Sequence, residues 1–322
     1  MVIRAKHRRN IPRKPGPTEE SNPLSLAVDS VSSLRIAEII NREDQKIALA
    51  VRKQLRPIAR AIEITQKALS RGGRLFYVGA GSSGRLGFLD AVECPPTFGV
   101  SPKMVQGIIA GGKRALWHSV EGAEDDRGAG ARAVRQAGVR AGDVVCGISA
   151  SGKTPFIRGA LAEAGRKKAR CILISCHPLP EVGPLAEVVI APAIGPEIIA
   201  GSTRMKAGTA TKMVLNMIST GAMTRLGKVY GNLMVDVRPA SAKLRERALG
   251  IIMSVLGCSR YRAQRLLRAS KNRVKVAIVM GAKSCSDREA EQWLRENQGF
   301  LRKVLGEGWP GSGRKKPGSP WA

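Results

Sequence analysis

Aromatic side chains make up only 4% of this sequence. That scarcity disfavours the base-stacking platforms on which single-stranded nucleic acid is held. No apolar run reaches the length of a membrane span, and no apolar stretch follows the basic N-terminus. Neither a transmembrane helix nor a signal peptide is expected, and no membrane partner. The six cysteines (Cys94, Cys146, Cys171, Cys176, Cys258, Cys285) are scattered without a CxxC, and the three histidines lie far apart. This spacing offers no zinc pattern. Cys146 and Cys171 sit in strand-like runs and read as buried thiols, so a reducing cytoplasm fits best. Carboxylates are also few: 25 Asp and Glu against 54 Lys and Arg, a net charge of +29. Such a surface attracts phosphorylated ligands, nucleic acid or anionic membrane. Residues 1–14 and the run from Cys258 to Lys275 carry no acid, and Arg314-Lys315-Lys316 ends the chain's charge. No recognition motif accompanies this excess, so it reads as solubility or high-GC arginine usage, not as a nucleic-acid site.

What is present is a core. The 322 residues are 43% hydrophobic, enough for one large or two modest domains. Residues 1–17 are basic and Pro-rich and read as a disordered tail, as do residues 304–322. Helical spacing from Leu24 to Asn41, and a second helix opening at Glu43-Asp44 and closed by Gly72-Gly73, predict a helical lead-in. Strand-like runs then alternate with helical ones. Strands are expected at Leu75–Val78, Met104–Ala110, Asp143–Ile148, Arg170–Ser175 and Val188–Ala191. Helices are expected at Arg85–Val92, Glu124–Ala137 and Phe156–Lys167. This alternation predicts an α/β fold with a parallel sheet covered on both faces and a ligand at the strands' carboxyl ends. A polar turn at Gly201–Arg204 is expected to cap a long buried helix, and short helices over residues 241–303 predict a small helical domain. The main domain is then 18–240.

The stretch RLFYVGAGSSGRLGFLDAVECPPT, residues 74–97, organises this scheme. A strand breaks at Gly79 and runs through Ala80-Gly81-Ser82-Ser83-Gly84 into a helix, a turn whose free N–H groups and dipole make an anion site. The turn matches GxGxxG, but no acid lies between Glu93 and Glu121 to hold a ribose, which argues against a dinucleotide. Gly147 to Thr154 matches the P-loop pattern. Pro155 follows directly, and the next strand ends in Ser175-Cys176 with no aspartate for magnesium, which argues against a nucleotide hydrolase. Ser82 and Ser83 on one turn, with Ser149, Ser151 and Thr154 on the other, suit a sugar phosphate. Glu93 is expected on a loop stiffened by Pro95-Pro96. Glu124 belongs to a second acidic cluster, whose plainer reading is charge at a helix N-terminus. Two acids near one phosphate site can instead act as general acid and base.

The blocks YVGAGSSGRLGFLDAVECPPTFGV, GIIAGG, SVEGAEDD, GISASGKTP, GSTRMKAGTATKMVLNMISTGAM and GKVYGNLMVDV resemble the N-acetylmuramic acid 6-phosphate etherase family of the sugar isomerase (SIS) superfamily. The resemblance runs from about Thr18 to Leu301. It implies a SIS-type three-layer sandwich with a five-stranded parallel sheet, a C-terminal helical domain, a homodimer, and no metal or cofactor. It also implies cleavage of a lactyl ether to N-acetylglucosamine 6-phosphate and D-lactate in peptidoglycan recycling. Glu93 takes the place of the family's catalytic acid and Glu124 that of its second carboxylate. Ser82, Ser83, Gly84, Ser149, Ser151 and Thr154 are expected to hold the substrate. Lys153 stands where the family usually has Arg, and His177 where Asn is more usual. A regulatory, non-catalytic sugar-phosphate binder of the same superfamily is the alternative, and the intact glutamates argue against it.

Overall fold

A computed structural model describes residue 16 and residues 18–306; both expected tails fall almost entirely outside these residues. Five strands form where the apolar runs lie: β1 Leu75–Gly79, β2 Val105–Ile109, β3 Val144–Ile148, β4 Arg170–Ile174 and β5 Val188–Ile190. All pair in parallel, in the order β2-β1-β3-β4-β5. Gly79 lies level with Ile109 on one side and Ile148 on the other, so three strands end at one height. The order reverses between β1 and β3, and such a reversal opens a crevice at the strands' carboxyl ends. The turns after these two strands are the two glycine-serine turns.

Alternation along the strands feeds two cores. Leu75, Tyr77, Cys146, Ile148, Ile172 and Ile174 face one core, which is covered by α1 (Ser33–Arg52), α2 (Leu55–Ser70), α3 (Gly81–Phe98) and α6 (Lys206–Thr224). Phe76, Val78, Val145, Cys171 and Leu173 face the other, under α4 (Arg127–Gln136) and α5 (Pro155–Arg166). The result is a three-layer sandwich with a five-stranded parallel sheet.

Several boundaries differ from expectation. The lead-in breaks at Lys53-Gln54, because Ile39, Ile47 and Val51 form one buried stripe through Glu43. Residues 23–30 form two 3-10 turns instead of a helix. α3 does not start at Arg85 and end at Val92. It runs from Gly81 through Pro95 and Pro96, so Glu93 stands on a helix and not on a loop. The prolines remove two N–H groups only from the last turn, which Gly99 closes in the left-handed region by donating to the Pro95 carbonyl. α4 starts at Arg127, with Asp126 as its cap at 2.8 Å from the Ala129 nitrogen, so Glu124 lies in the preceding turn.

Five further helices, α7 (Ala242–Leu256), α8 (Arg260–Ala269), α9 (Val274–Lys283), α10 (Asp287–Glu296) and α11 (Leu301–Leu305), form the C-terminal module around a buried α9. Its core extends past the expected 241–303 span: Tyr230, Val235 and Val237 join it at one end, Val304 and Leu305 at the other. Buried Lys275 donates to Asp236 at 2.7 Å and to the Gly227 and Gly299 carbonyls. No helix among the described residues is long and apolar enough to cross a membrane.

Candidate active site

The first turn is built for an anion. The residue before α3 is Ala80, which offers no side-chain acceptor, so the N–H groups of Gly81, Ser82 and Ser83 have no intrahelical partner. Gly81 adopts φ +50°, which explains the glycine. Gly84 plays another part: its N–H already donates to the Ala80 carbonyl, and a Cβ there would lie 2.5 Å from Ile109 Cγ1. It lets α3 sit against β2 and so aims the turn.

The second turn differs. Buried Ser149 shares a 2.8 Å hydrogen bond with the Thr154 hydroxyl, and the Ser149 N–H is used by Ile174. Ser151 accepts from the Lys153 N–H. The Lys153 ammonium lies 3.7 Å from Glu181, turned to a carboxylate. Pro155 has no N–H to give, and Phe156 gives its own to the Glu124 carbonyl at 2.9 Å. A triphosphate cradle needs those amides and that lysine; here they are occupied.

Glu124 is thereby tied to the second turn, and it also faces the first. It lines a cavity of about 140 Å³ with Ala80, Gly81, Arg85, His118, Ser119 and Glu121. Arg85 holds the cavity's far wall by donating to the Ala115 and His118 carbonyls at 3.0 and 3.1 Å. Glu121 pairs with the Ser119 hydroxyl. The sequence reading missed Arg85, His118 and Ser119. For Arg85 a signal existed: four residues after Gly81 is one helical turn, on the same face.

Glu93 is not brought to this cavity. It lies twelve residues beyond Gly81 on one helix, roughly 18 Å along the axis at 1.5 Å per residue. Its side chain is exposed and makes no ion pair among the described residues. Beside it Leu89 and Val92 are 45% and 59% exposed. The helix itself is firmly seated. Buried Asp90 accepts from the Tyr77 hydroxyl at 2.9 Å and from Lys212 on α6 at 2.9 Å. Burial and the Asp90 charge push the Tyr77 phenol up. Burial also pushes the Cys94 thiol up to about 12, making it a packing residue.

A third segment meets the strand ends beyond β5. The Gly201–Arg204 turn does not cap α6. That is done by Glu197, fully buried, whose carboxylate accepts from the Lys206 and Ala207 N–H groups at 2.9 Å each. Burial pushes the Glu197 carboxyl up despite these bonds. The buried Lys206 ammonium reaches Glu43 at 2.6 Å, and Asn22 donates to the same carboxylate oxygen at 3.1 Å. This network anchors the segment after β5 to α1.

Known proteins resemble this chain at several levels. The glucokinase regulatory protein N-terminal SIS domain matches residues 57–164. N-acetylmuramic acid 6-phosphate etherase of Escherichia coli (strain SMS-3-5 / SECEC) is 49% identical over 288 residues, 89% of this chain and 97% of that one. The etherase of Klebsiella aerogenes is 48% identical over 288 residues, 89% and 96% of the two chains. A solved phosphoheptose isomerase from Francisella tularensis aligns with a TM-score of 0.45 and 15% identity, covering 60% of this chain and all of that one. Identity near one half, along almost the whole of both etherases, is decisive: the chain belongs to the N-acetylmuramic acid 6-phosphate etherase family.

Proposed function

We propose that this chain cleaves the D-lactyl ether of N-acetylmuramic acid 6-phosphate, giving N-acetylglucosamine 6-phosphate and D-lactate, in a site shared by two copies. The observation that carries the chemistry is the placement of Glu124, in one cavity with the anion-binding turn of α3 and bonded to the N-terminus of α5. The phosphate is held by the free amides of Gly81, Ser82 and Ser83, by those serine hydroxyls, and by Ser149, Ser151 and Thr154. The ether oxygen sits on C3, β to the C1 carbonyl of the open-chain sugar. Glu124 removes the C2 proton; the electron pair forms the C2–C3 double bond as the C3–O bond breaks. Glu93 gives its proton to the departing lactate oxygen. Water then adds its hydroxyl to C3 and a proton to C2. Each such proton transfer contributes roughly 10²–10⁴-fold.

Glu93 reaches the reaction from a second copy. At about 140 Å³ the cavity is smaller than the roughly 300–1,000 Å³ of ordinary ligand pockets, so one chain leaves the site open. The exposed face of α3 runs Leu89, Val92, Glu93 and Pro96, an apolar stripe around one acid. An isologous antiparallel pairing of two α3 helices centred on Leu89 buries this stripe. It sets the partner's Glu93 opposite Arg85, at the mouth of the cavity that holds Glu124.

The test is complementation, read as D-lactate release. Glu93→Gln and Glu124→Gln chains are each inactive alone. Unfolded, mixed in equal amounts and refolded, they recover about a quarter of wild-type activity, because half the dimers are mixed and each has one intact site. No recovery on mixing, with each variant still binding N-acetylglucosamine 6-phosphate, overturns the shared site. Full activity of either variant removes that glutamate from the mechanism.

A further inference from the structure

At the opposite end of the sheet, where the strands begin, the structure holds a second cavity of about 420 Å³. Ile64 and Ala68 of α2 form an apolar floor, and Gly72, Gly73 and Gly142 line it with bare backbone. Its other walls are Lys67, Arg71, Arg140, Lys168 and Arg170, with no carboxylate in the lining. Arg170 is neutralised by a two-pronged pair with Glu187. Lys67, Arg71, Arg140 and Lys168 pair with no carboxylate among the described residues. They arrive from three separate segments: the end of α2, the turn before β3 and the turn before β4.

Cations in or just after a last helical turn complement the helix dipole, which accounts for Lys67 and Arg71 at the end of α2 and Lys168 after α5 one at a time. It does not account for four converging on one hollow, where each repels the others and the nearest acid, Asp143, takes the Arg140 backbone N–H at 3.0 Å and pairs with Arg74 instead of these side chains. The hollow is also built. Gly72 and Gly142 have φ of +79° and +89°, and Lys168 adopts +57°. A Cβ at Gly73 would stand 2.1 Å from the Gly142 carbonyl oxygen, so glycine there is what lets the two turns meet as one wall.

We propose that this cavity is a second anion site, distinct from the substrate site, that takes a small ligand carrying a chain of two or three linked phosphates. Four unpaired cations exceed what a monophosphate balances and match a triphosphate's charge; the concavity is too small for a duplex or a membrane surface. The apolar floor lies where an attached organic group would rest. Sodium tripolyphosphate and a nucleoside triphosphate distinguish the two sources of this chemistry.

The experiment is isothermal titration of the full chain at about 150 mM salt, where long-range charge is screened beyond about 8 Å. Tripolyphosphate is expected to bind at one saturable site per chain and not to be displaced by N-acetylglucosamine 6-phosphate. Tighter binding of the nucleoside triphosphate assigns the floor to an organic group; equal binding assigns the site to the phosphates alone; both uphold it. The paired variant Arg71→Ser, Arg140→Ser is expected to weaken binding about tenfold or more, with D-lactate release within about twofold of wild type. Arg265→Ser with Arg268→Ser, on exposed α8, is the control for diffuse charge and leaves binding unchanged. Non-saturable binding, an equal loss in the α8 control, or displacement by the sugar phosphate overturns the proposal. The titration does not depend on lactate chemistry, so its failure and that of the proposed activity are separable.

Discussion

Replacing Lys206 with Met tests the buried network that anchors the segment after β5. Lys206 is 1% exposed and Glu43 3%, and their charged atoms lie 2.6 Å apart. Burial pushes the Glu43 carboxyl up. Hydrogen bonds from Lys206, Lys46 and Asn22 and the Lys206 charge outweigh it and bring it down to about 2 from 4.5. At 1.36 kcal/mol per unit, that displacement is worth about 3 kcal/mol. Removing one partner of a buried pair costs roughly 3–5 kcal/mol by an independent route, because the other charge is left stranded. Lys206 supplies only part of that displacement, Lys46 and Asn22 the rest, so Lys206→Met should lower urea-unfolding stability near neutral pH by about 3 kcal/mol mainly because Glu43 is left buried without its ammonium. The double variant Glu43→Leu, Lys206→Met should recover most of that loss. The acid limb supplies the sign. A carboxyl with a depressed folded value contributes fully above its ordinary value of 4.5 and loses that contribution as pH falls through about 2. The gap between wild type and Lys206→Met should be flat from neutral pH to about pH 5 and close below it. A single-variant loss under about 1 kcal/mol, or a gap that widens in acid, would refute the reasoning.

Other consequences are open to direct measurement. Leu89→Arg places a charge in the middle of the α3 stripe; it should yield a monomer by sedimentation and abolish D-lactate release while leaving the melting curve cooperative. Gly84→Ala drives a methyl to 2.5 Å from Ile109 Cγ1 and 2.9 Å from the Gly79 carbonyl. It should destabilise by about 1–3 kcal/mol and weaken sugar-phosphate binding, and Ile109→Val should return part of the stability. Asp126→Ala removes the α4 cap and its 2.9 Å pair with Arg132. A loss of about 1 kcal/mol in urea, with D-lactate release retained, separates its structural part from that of Glu124.

The strands were legible because a sheet covered on both faces demands short continuous apolar runs, and these appear with little ambiguity. The two serine turns were legible for the same reason, since a strand end followed by Gly and Ser leaves few alternatives. Glu93 was misplaced on a loop because two prolines usually end a helix; here they fall in the final turn, where their missing N–H groups cost least. The split between α1 and α2 was misread at Glu43, an acid that looked like a helix start. Its partner Lys206 lies 163 residues away, and no local pattern reports a pairing at that distance. The cap of α6 was assigned to nearby polar residues when Glu197 reaches back to supply it. A long-range polar contact overrode the local signal at Glu43, a nine-residue reach by Glu197 did so at α6, and at Glu93 the place of the prolines within the last turn decided it.

The hydrogen bond from the Phe156 N–H to the Glu124 carbonyl couples two events that chemistry treats separately. On the proposed mechanism, a ligand oxygen that draws the serine hydroxyls inward would also pull on the start of α5, and with it the peptide of Glu124, the proposed base. Grip on the distant end of the sugar would thus become alignment at C2. A muramic acid analogue lacking its 6-phosphate should suffer mainly in turnover number, with a smaller change in apparent affinity.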